Sequence, residues 1–334
     1  MKTGVFFCFL LIGFGCFSQQ NILEFDKPNK RFHSYELNLS SNRTSQMSMH
    51  PAHWMNYPDS LKNKRVFGVT AGAAVITVST LMVLNEAWYK NFPKSEFHTF
   101  NDWGEWEGID KFGHAFSSYC IGVLGYNSLK WSGVNESSSL AFGATWGFVY
   151  QTIFEIMDGY NAQWGFSWGD MAANTLGTAL FIGQQIAWRE QRITPKFSFH
   201  ATQYPQHRPK LLGENFGQQI LKDYNGQTYW LSTNIHSFLN KGSKFPKWIS
   251  VSLGYGADGM IGGESNPNIN ENGQPLPSFE RYSQFYFSLD IDLHRIKTKS
   301  RFVNTFLASF GLIKFPFPTL EFNKNGMVFH PIYF

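Results

Sequence analysis

Seven polar residues lie at or beside the ends of apolar segments, where ionisable side chains are unusual and could do chemistry. Asp110 and His114 are four residues apart, so a helix places them on one face. Glu155 and Asp158 are three apart and share a face in the same way. An imidazole among carboxylates can bind a divalent cation or transfer protons. The seven residues are Asp110, Lys111, His114, Glu155, Asp158, Asp170 and Asn174.

Three interpretations of these residues remain open. They can form a structural network that joins helix ends, in which Lys111 pairs with Glu155 or Asp158. They can bind a ligand or a lipid headgroup, or they can catalyse a reaction through His114, Glu155, Asp158 and Asp170. We expect no cofactor, because a divalent metal is compatible with these side chains but no other sequence feature supports one.

Four apolar segments must position these residues. Each is rich in small side chains, which suit close helix packing, so they predict a membrane-associated helical bundle. An up-and-down connection brings the start of the second, the end of the third and the start of the fourth segment to one end, where the polar residues converge. Ser167 is a candidate N-cap for the fourth helix. The segments cover residues 66–84, 115–131, 137–157 and 171–188.

The last third of the chain has a period of two. Phe285, Phe287 and Leu289 alternate with Tyr286 and Ser288, which predicts a half-buried strand. Residues 249–255 predict a second strand and 229–235 a weaker third. Such strands could line an outer-membrane barrel, but too few are visible to close one. A sheet packed on the bundle is therefore expected, and the fold class is α+β.

The domain organisation follows from these patterns. Residues 1–18 have one Lys before a short apolar core and small residues before Gln19, which predicts a signal peptide. Lipidation at Cys16 and a retained anchor helix are the alternatives. Residues 19–64 are a polar extension, 65–192 the helical domain and 193–334 a β-rich domain. The β-rich domain begins with a predicted linker that contains prolines at 195, 205 and 209. Only Cys120 survives cleavage, so an intramolecular disulfide is excluded.

Composition limits the function further. The 334 residues include 34 Phe, 14 Tyr and 11 Trp, which is too aromatic for a disordered chain. The net charge is +4 and no Lys/Arg run occurs, so a nucleic-acid partner is not expected. Phosphate loops, serine nucleophile elbows and HExxH motifs are absent from the sequence. So many aromatic residues instead indicate an apolar partner, either membrane lipid or an envelope protein complex.

Three ordered motifs resemble the YfiM-like family, a predicted periplasmic lipoprotein family of unknown function (DUF2279). A weaker similarity is to VanZ-like membrane proteins. Neither family supplies a reaction, so the resemblance implies no catalytic role for any residue. The Phe-rich half resembles longer versions in Bacteroidetes-type bacteria, which implies outer-membrane association. The motifs are Asp110-Lys111-x-Gly113-His114, Glu155-x-x-Asp158-Gly159 and Ser167-x-Gly169-Asp170-x-x-Ala173-Asn174-x-x-Gly177.

The sequence therefore predicts a periplasm-exposed cell-envelope protein associated with the outer membrane. The expected function is structural or accessory, through contact with lipid or with a membrane complex. The alternative is an envelope enzyme that acts on a lipid or cell-wall precursor through the His/carboxylate residues.

Overall fold

The computed structural model describes residues 57–85, 89, 92–240, 242–270 and 273–334. The signal peptide predicted at 1–18 and most of the polar extension predicted at 19–64 lie outside the described residues. Within them, helices come first and a six-stranded antiparallel sheet follows, which confirms the α+β fold class.

Four long helices correspond to the four apolar segments of the sequence. A helical turn at Glu136–Ser138 and a π-helix at Ser139–Ala144 precede the third of them. The second helix begins six residues before its apolar segment, so Asp110, Lys111 and His114 lie in its first two turns. The helices are α1 Asn63–Leu84, α2 Ile109–Trp131, α3 Trp146–Gly159 and α4 Trp168–Trp188.

A membrane bundle of four helices is not confirmed. Among the described residues, α1 alone is long and apolar enough to be a candidate membrane span, and none of its most apolar stretch is buried. It lies against the other helices through Ile76 and Leu81, which pack beside Ile121. The Tyr150 hydroxyl of α3 also donates to Thr80 Oγ1 at 3.1 Å.

The other three helices pack closely, with α2 in the centre. A Cβ built on Gly177 of α4 would overlap the carbonyl oxygen of Ala115 in α2. A Cβ on Gly147 of α3 would overlap the carbonyl oxygen of Ser118. Glycine at these two contacts therefore sets the distance between helix backbones, as the small residues in the segments predicted.

The sheet follows in simple order along the chain, β1 to β6. The prediction of a linker at residue 193 was wrong, because β1 begins there and contains Pro195. Proline is tolerated in an edge strand, and β1 is the first strand in the order of the sheet and so lies at its edge. The last two strands and the helices α5 Phe216–Lys222 and α6 Arg301–Ser309 were not predicted. The strands are β1 Ile193–Phe199, β2 Gln227–Asn234, β3 Ile249–Asp258, β4 Tyr282–Ile291, β5 Phe317–Asn323 and β6 Gly326–Tyr333.

Burial on the two faces of the sheet is the reverse of that in a sheet packed on an apolar core, because the polar face is buried and the apolar face is exposed. On β4, Gln284, Ser288 and Asp290 are buried, whereas Phe285 and Phe287 are exposed. Strand register extends this alternation across the sheet. We call the polar side the inner face, with Lys196, Trp230, Ser232, Ser252, Tyr286, Ser288, Asp290, Thr319 and Glu321. We call the apolar side the outer face, with Leu231, Leu253, Phe285, Phe287, Leu289, Phe322, Met327 and Phe329.

The inner face is buried because the sheet curls around it. Tyr333 at the end of β6 packs on Trp230 of β2 and Tyr286 of β4, with ring centroids 5.9 and 4.7 Å away. Across the enclosed space, Lys196 Nζ of β1 lies 2.7 Å from Asp290 Oδ2 of β4. The Ser232 hydroxyl also donates to Asp290 Oδ2 at 2.6 Å, so these three polar side chains bind one another in the interior of the sheet.

The outer face is covered by the helical domain over part of its width. Phe116 of α2 packs on Phe197 of β1 and Tyr229 of β2. Phe112 stacks on Tyr255 of β3, with ring centroids 4.7 Å apart. Beyond these contacts, the outer-face side chains from Leu253 to β6 are exposed.

Candidate functional site

The first turns of α2 and α4 and the last turns of α3 meet at one end of the helical domain. Seven polar side chains are brought together there, and each is less than a tenth exposed. Six were predicted from the sequence, and the seventh, Asp102, comes from the loop before α2. We call this set the carboxylate–histidine cluster: Asp102, Asp110, Lys111, His114, Glu155, Asp170 and Asn174.

Lys111 is the ammonium group of the cluster. Its Nζ lies 2.9 Å from Asp102 Oδ1 and 3.0 Å from Asp170 Oδ1, with Asp110 Oδ2 at 3.6 Å. Lys111 therefore joins α2 to α4 and to the loop that contains Asp102. The expected pairing of Lys111 with Glu155 or Asp158 stays a prediction.

His114 lies between the three helices. Its Nδ1 is 3.1 Å from Asn174 Oδ1 of α4, which also accepts a hydrogen bond from Ser118. Its Nε2 is 3.8 Å from Asp170 Oδ1 and 4.0 Å from Asp110 Oδ2, which is too long for a hydrogen bond. Among the described residues, this buried Nε2 has no hydrogen-bond partner.

The start of α4 is fixed by Ser167, as the sequence predicted. Ser167 Oγ accepts from the backbone N–H of Asp170 at 3.0 Å, which makes it the N-cap. The same hydroxyl donates to Asp102 Oδ1 at 2.5 Å. Its backbone N–H donates to Glu155 Oε2 at 3.2 Å, so one residue connects the ends of α3 and α4 with the Asp102 loop.

The β-rich half also contributes to the cluster. Tyr224, between α5 and β2, donates from its hydroxyl to Asp110 Oδ1 at 2.7 Å. The ring of Trp106 packs on Tyr224 with centroids 5.1 Å apart, which holds the tyrosine against the start of α2. Tyr224 therefore contacts the cluster through Asp110, from which it is 114 positions away in sequence.

Asp158 is the seventh residue that the sequence predicted for this site. It is buried, and its Oδ1 accepts from the Tyr89 hydroxyl at 2.7 Å. It lies one turn beyond Glu155 on α3, at the side where the segment before α2 passes.

Sequence reasoning missed several members of the site. Acidic and aromatic residues alternate around Asp102, a pattern typical of an interfacial loop, so it was not among the predicted site residues. Its position eight residues before Asp110, close to the helix start, was the available signal. Gln151 also belongs to the site, since its Nε2 lies 3.4 Å from His114 Nδ1. Tyr224, Ser118 and Gln151 carried no comparable signal, since each is an ordinary polar residue in its own segment.

The geometry allows two kinds of chemistry. Asp110, His114 and Asp170 each offer one ligand atom, and these atoms lie within 4.8 Å of one another, so the three could hold a metal ion. Carboxylates beside an imidazole can also exchange a proton. Every member is buried, so the arrangement admits a small ion more readily than a large substrate.

A comparison with protein families identifies part of the chain. Residues 99–182 match the family described as predicted periplasmic lipoprotein (DUF2279). This span contains α2, α3 and most of α4, hence all seven members of the cluster. No curated protein and no solved structure matches the chain.

The match confirms the resemblance to DUF2279 and indicates an envelope protein of the periplasmic side whose function is not known. The weaker similarity to VanZ-like membrane proteins stays a prediction. The β-rich half lies outside the matched residues.

Proposed function

We propose that the protein is a non-enzymatic, structural or accessory component of the cell envelope that is embedded in lipid at the outer membrane. The observation that carries this proposal is the reversed sheet, with polar side chains buried on the inner face and apolar side chains exposed on the outer face.

The reversal matters because of what each solvent favours. A sheet with one face in water buries its apolar face and exposes its polar one. A sheet in contact with lipid does the opposite and presents an apolar outer surface around a polar interior. On the outer face, Leu253 is 62% exposed and Phe285 57% exposed. Exposing such side chains to water costs about 1.5–3 kcal/mol each, which contact with lipid avoids.

Other elements extend this apolar surface. Phe67 on α1 is 74% exposed, and Val75 and Met82 on the same helix are also exposed. Leu176 and Ile186 are exposed on α4. These surfaces lie on both halves of the molecule, so a bilayer covers them more simply than one protein interface of standard size. We therefore assign lipid acyl chains as the partner.

Vesicle flotation tests this assignment. The full chain, refolded into vesicles of phosphatidylethanolamine and phosphatidylglycerol, should float with the lipid and resist extraction by carbonate. Leu253→Asp combined with Phe287→Asp places two charges in lipid on the outer face, so most of the protein should be lost from the floated fraction.

Ile269→Asp is the matched control, since Ile269 is as exposed as Leu253 but lies in the loop between β3 and β4. It should float like the wild type. Equal flotation of the outer-face variant and the control would overturn the proposal. Co-purification of a stoichiometric protein that covers the outer face, with no lipid bound, would replace lipid by an envelope complex.

A second candidate function is an enzyme that acts on a lipid or cell-wall precursor. The observation that favours it is His114, buried between Asp110 and Asp170. The enzyme hypothesis expects His114→Asn to abolish function in cells while the folded protein level and melting temperature stay unchanged. The structural hypothesis expects the level or the melting temperature to fall, with function following it.

A further inference from the structure

We infer that Asp110, His114 and Asp170 form a binding site for a divalent first-row transition-metal ion, in the range from Mn²⁺ to Zn²⁺. This inference goes beyond the proposed function and does not depend on contact with lipid. It makes the end of the helical domain a metal centre as well as a structural junction.

The protonation of His114 is the first step of the argument. Nδ1 lies 3.1 Å from Asn174 Oδ1, 3.4 Å from Gln151 Nε2 and 3.9 Å from Glu155 Oε1, so the nearest atom is a carboxamide oxygen. A carboxamide oxygen accepts, so Nδ1 carries the proton and donates it. In the neutral imidazole, Nε2 then has a free lone pair directed between two carboxylates.

That lone pair needs a cation in front of it. The His114 residue is 3% exposed, and its Nε2 has no hydrogen-bond partner among the described residues. This nitrogen lies 3.8 Å from a carboxylate oxygen of Asp170 and 4.0 Å from one of Asp110. A lone pair that faces two anions is electrostatically unfavourable, whereas a metal ion between the three atoms satisfies all of them.

The distances fit an ion after a small adjustment. Bonds of about 2.1 Å in tetrahedral geometry place ligand atoms about 3.4 Å apart. The separations of 3.8 and 4.0 Å between Nε2 and the two oxygens exceed this by less than an ångström. All three ligand atoms lie within 4.8 Å of one another. One nitrogen and two carboxylate oxygens suit Mn²⁺, Fe²⁺, Co²⁺ or Zn²⁺.

The surrounding residues orient these ligands as outer partners do in metal sites. Asn174 fixes the imidazole through Nδ1, and the Tyr224 hydroxyl fixes Asp110 through Oδ1 at 2.7 Å. Asp110 Oδ2, the oxygen nearer His114, is then the one that faces the ion. Lys111 shares Asp170 Oδ1 with the ion, so it competes for the same carboxylate.

Metal titration of the wild-type protein tests the inference. Detergent-solubilised full-length protein, freed of metal by a chelator, should bind one equivalent of Zn²⁺ or Mn²⁺. Zn²⁺ should raise the melting temperature, because an ion that binds only the folded state stabilises it. Co²⁺ should give the visible absorption of a nitrogen/oxygen-ligated ion, which Zn²⁺ displaces.

Variants locate the ion. His114→Gln and Asp170→Asn should weaken binding by about a hundredfold or more, and Tyr224→Phe by about tenfold. Lys111→Met should strengthen binding, because it removes the competing ammonium, whereas a purely structural cluster would gain no metal affinity.

Two matched controls should leave binding unchanged. His330→Gln removes another histidine beside a glutamate, 2.7 Å from Glu321. Tyr282→Phe removes another tyrosine–aspartate hydrogen bond, 3.0 Å long, to Asp258. Absence of a bound equivalent and of a melting shift in the wild type would overturn the inference and leave the cluster a structural network. Binding that survives His114→Gln, Asp170→Asn and Tyr224→Phe would overturn it equally, as adventitious binding elsewhere.

Discussion

At the scale of single residues, Lys111 is the buried charge on which the end of the helical domain depends. Its ammonium holds Asp102 and Asp170 at hydrogen-bonding distance, so the loop before α2 and the first turn of α4 are fixed relative to α2. A buried charge of this kind is tolerated because its partners are in place.

Asp102→Ala should therefore be strongly destabilising. It removes the nearest partner of Lys111 and the acceptor of the Ser167 hydroxyl, so the free energy of unfolding should fall by about 3–5 kcal/mol. Chemical denaturation followed by circular dichroism measures the change. The control is Glu280→Ala, which breaks the ion pair with Lys324 at an exposed carboxylate and should cost at most about 1 kcal/mol. Equal effects of the two variants would contradict the account of the cluster.

His200 makes a separate prediction about pH. Burial lowers the pKa of its imidazole, against the opposing effects of Asp258 and Glu321 and with a smaller lowering by His330. A histidine whose folded pKa lies below its unfolded value of about 6.5 stabilises the fold above that value, and this contribution is lost as the pH falls. The wild-type melting temperature should thus drop more than that of His200→Gln between about pH 7.5 and about pH 5. Parallel curves for the two proteins would show that the histidine contributes nothing.

At this scale, the sequence identified the residue types but not their partners. Spacing placed Asp110 with His114 and Asp170 with Asn174, because helical periodicity is local. The partners Asp102 and Tyr224 come from a loop and from the other half of the chain. No local pattern encodes such contacts, so the ion pair of Lys111 with Asp102 was not predicted.

At the scale of elements, the helical domain depends on the close approach of α2 to α3 and α4. The sequence predicted these helices well, since four apolar segments define them and Ser167 caps the last. It predicted β1 as a linker, because prolines are usually read as interruptions, and it missed β5 and β6, whose alternation is weak.

Two glycines of α4 test the close approach. Gly177→Ala places a methyl group against the backbone carbonyl of Ala115, so it should destabilise the protein by about 1–3 kcal/mol. Gly183→Ala lies on the same helix with no atom within 4 Å of the new methyl group, so it should be neutral or stabilise by roughly 0.5–1 kcal/mol. Thermal denaturation in detergent compares the two. A stabilising Gly177→Ala would show that α2 and α4 are not in tight contact.

At the scale of the whole molecule, the two faces of the sheet are the main support for the proposed contact with lipid. The period of two on β4 was predicted from the sequence, but alternation alone does not say which face is buried. The expectation of a sheet packed on the bundle was met only by β1 to β3, through Phe112 and Phe116. The polar interior depends on the curl of all six strands, which is a long-range property.

The outer face and the cluster have different roles in this account. We propose that the outer face contacts lipid, whereas the cluster fixes the helical domain that covers part of that face. DUF2279 similarity covers residues 99–182, so the six-stranded sheet lies outside the matched residues.

The most direct test of lipid contact is the accessibility of nitroxide labels on β4 in vesicles, measured by electron paramagnetic resonance. Single labels at Phe285, Phe287 and Leu289 should collide with oxygen, which concentrates in the bilayer, and be protected from a water-soluble nickel complex. Labels at Gln284 and Ser288 should be protected from both, which gives an alternation with a period of two. Nickel accessibility at the three outer-face positions as high as in the β3–β4 loop would show that this face lies in water and would contradict the central claim.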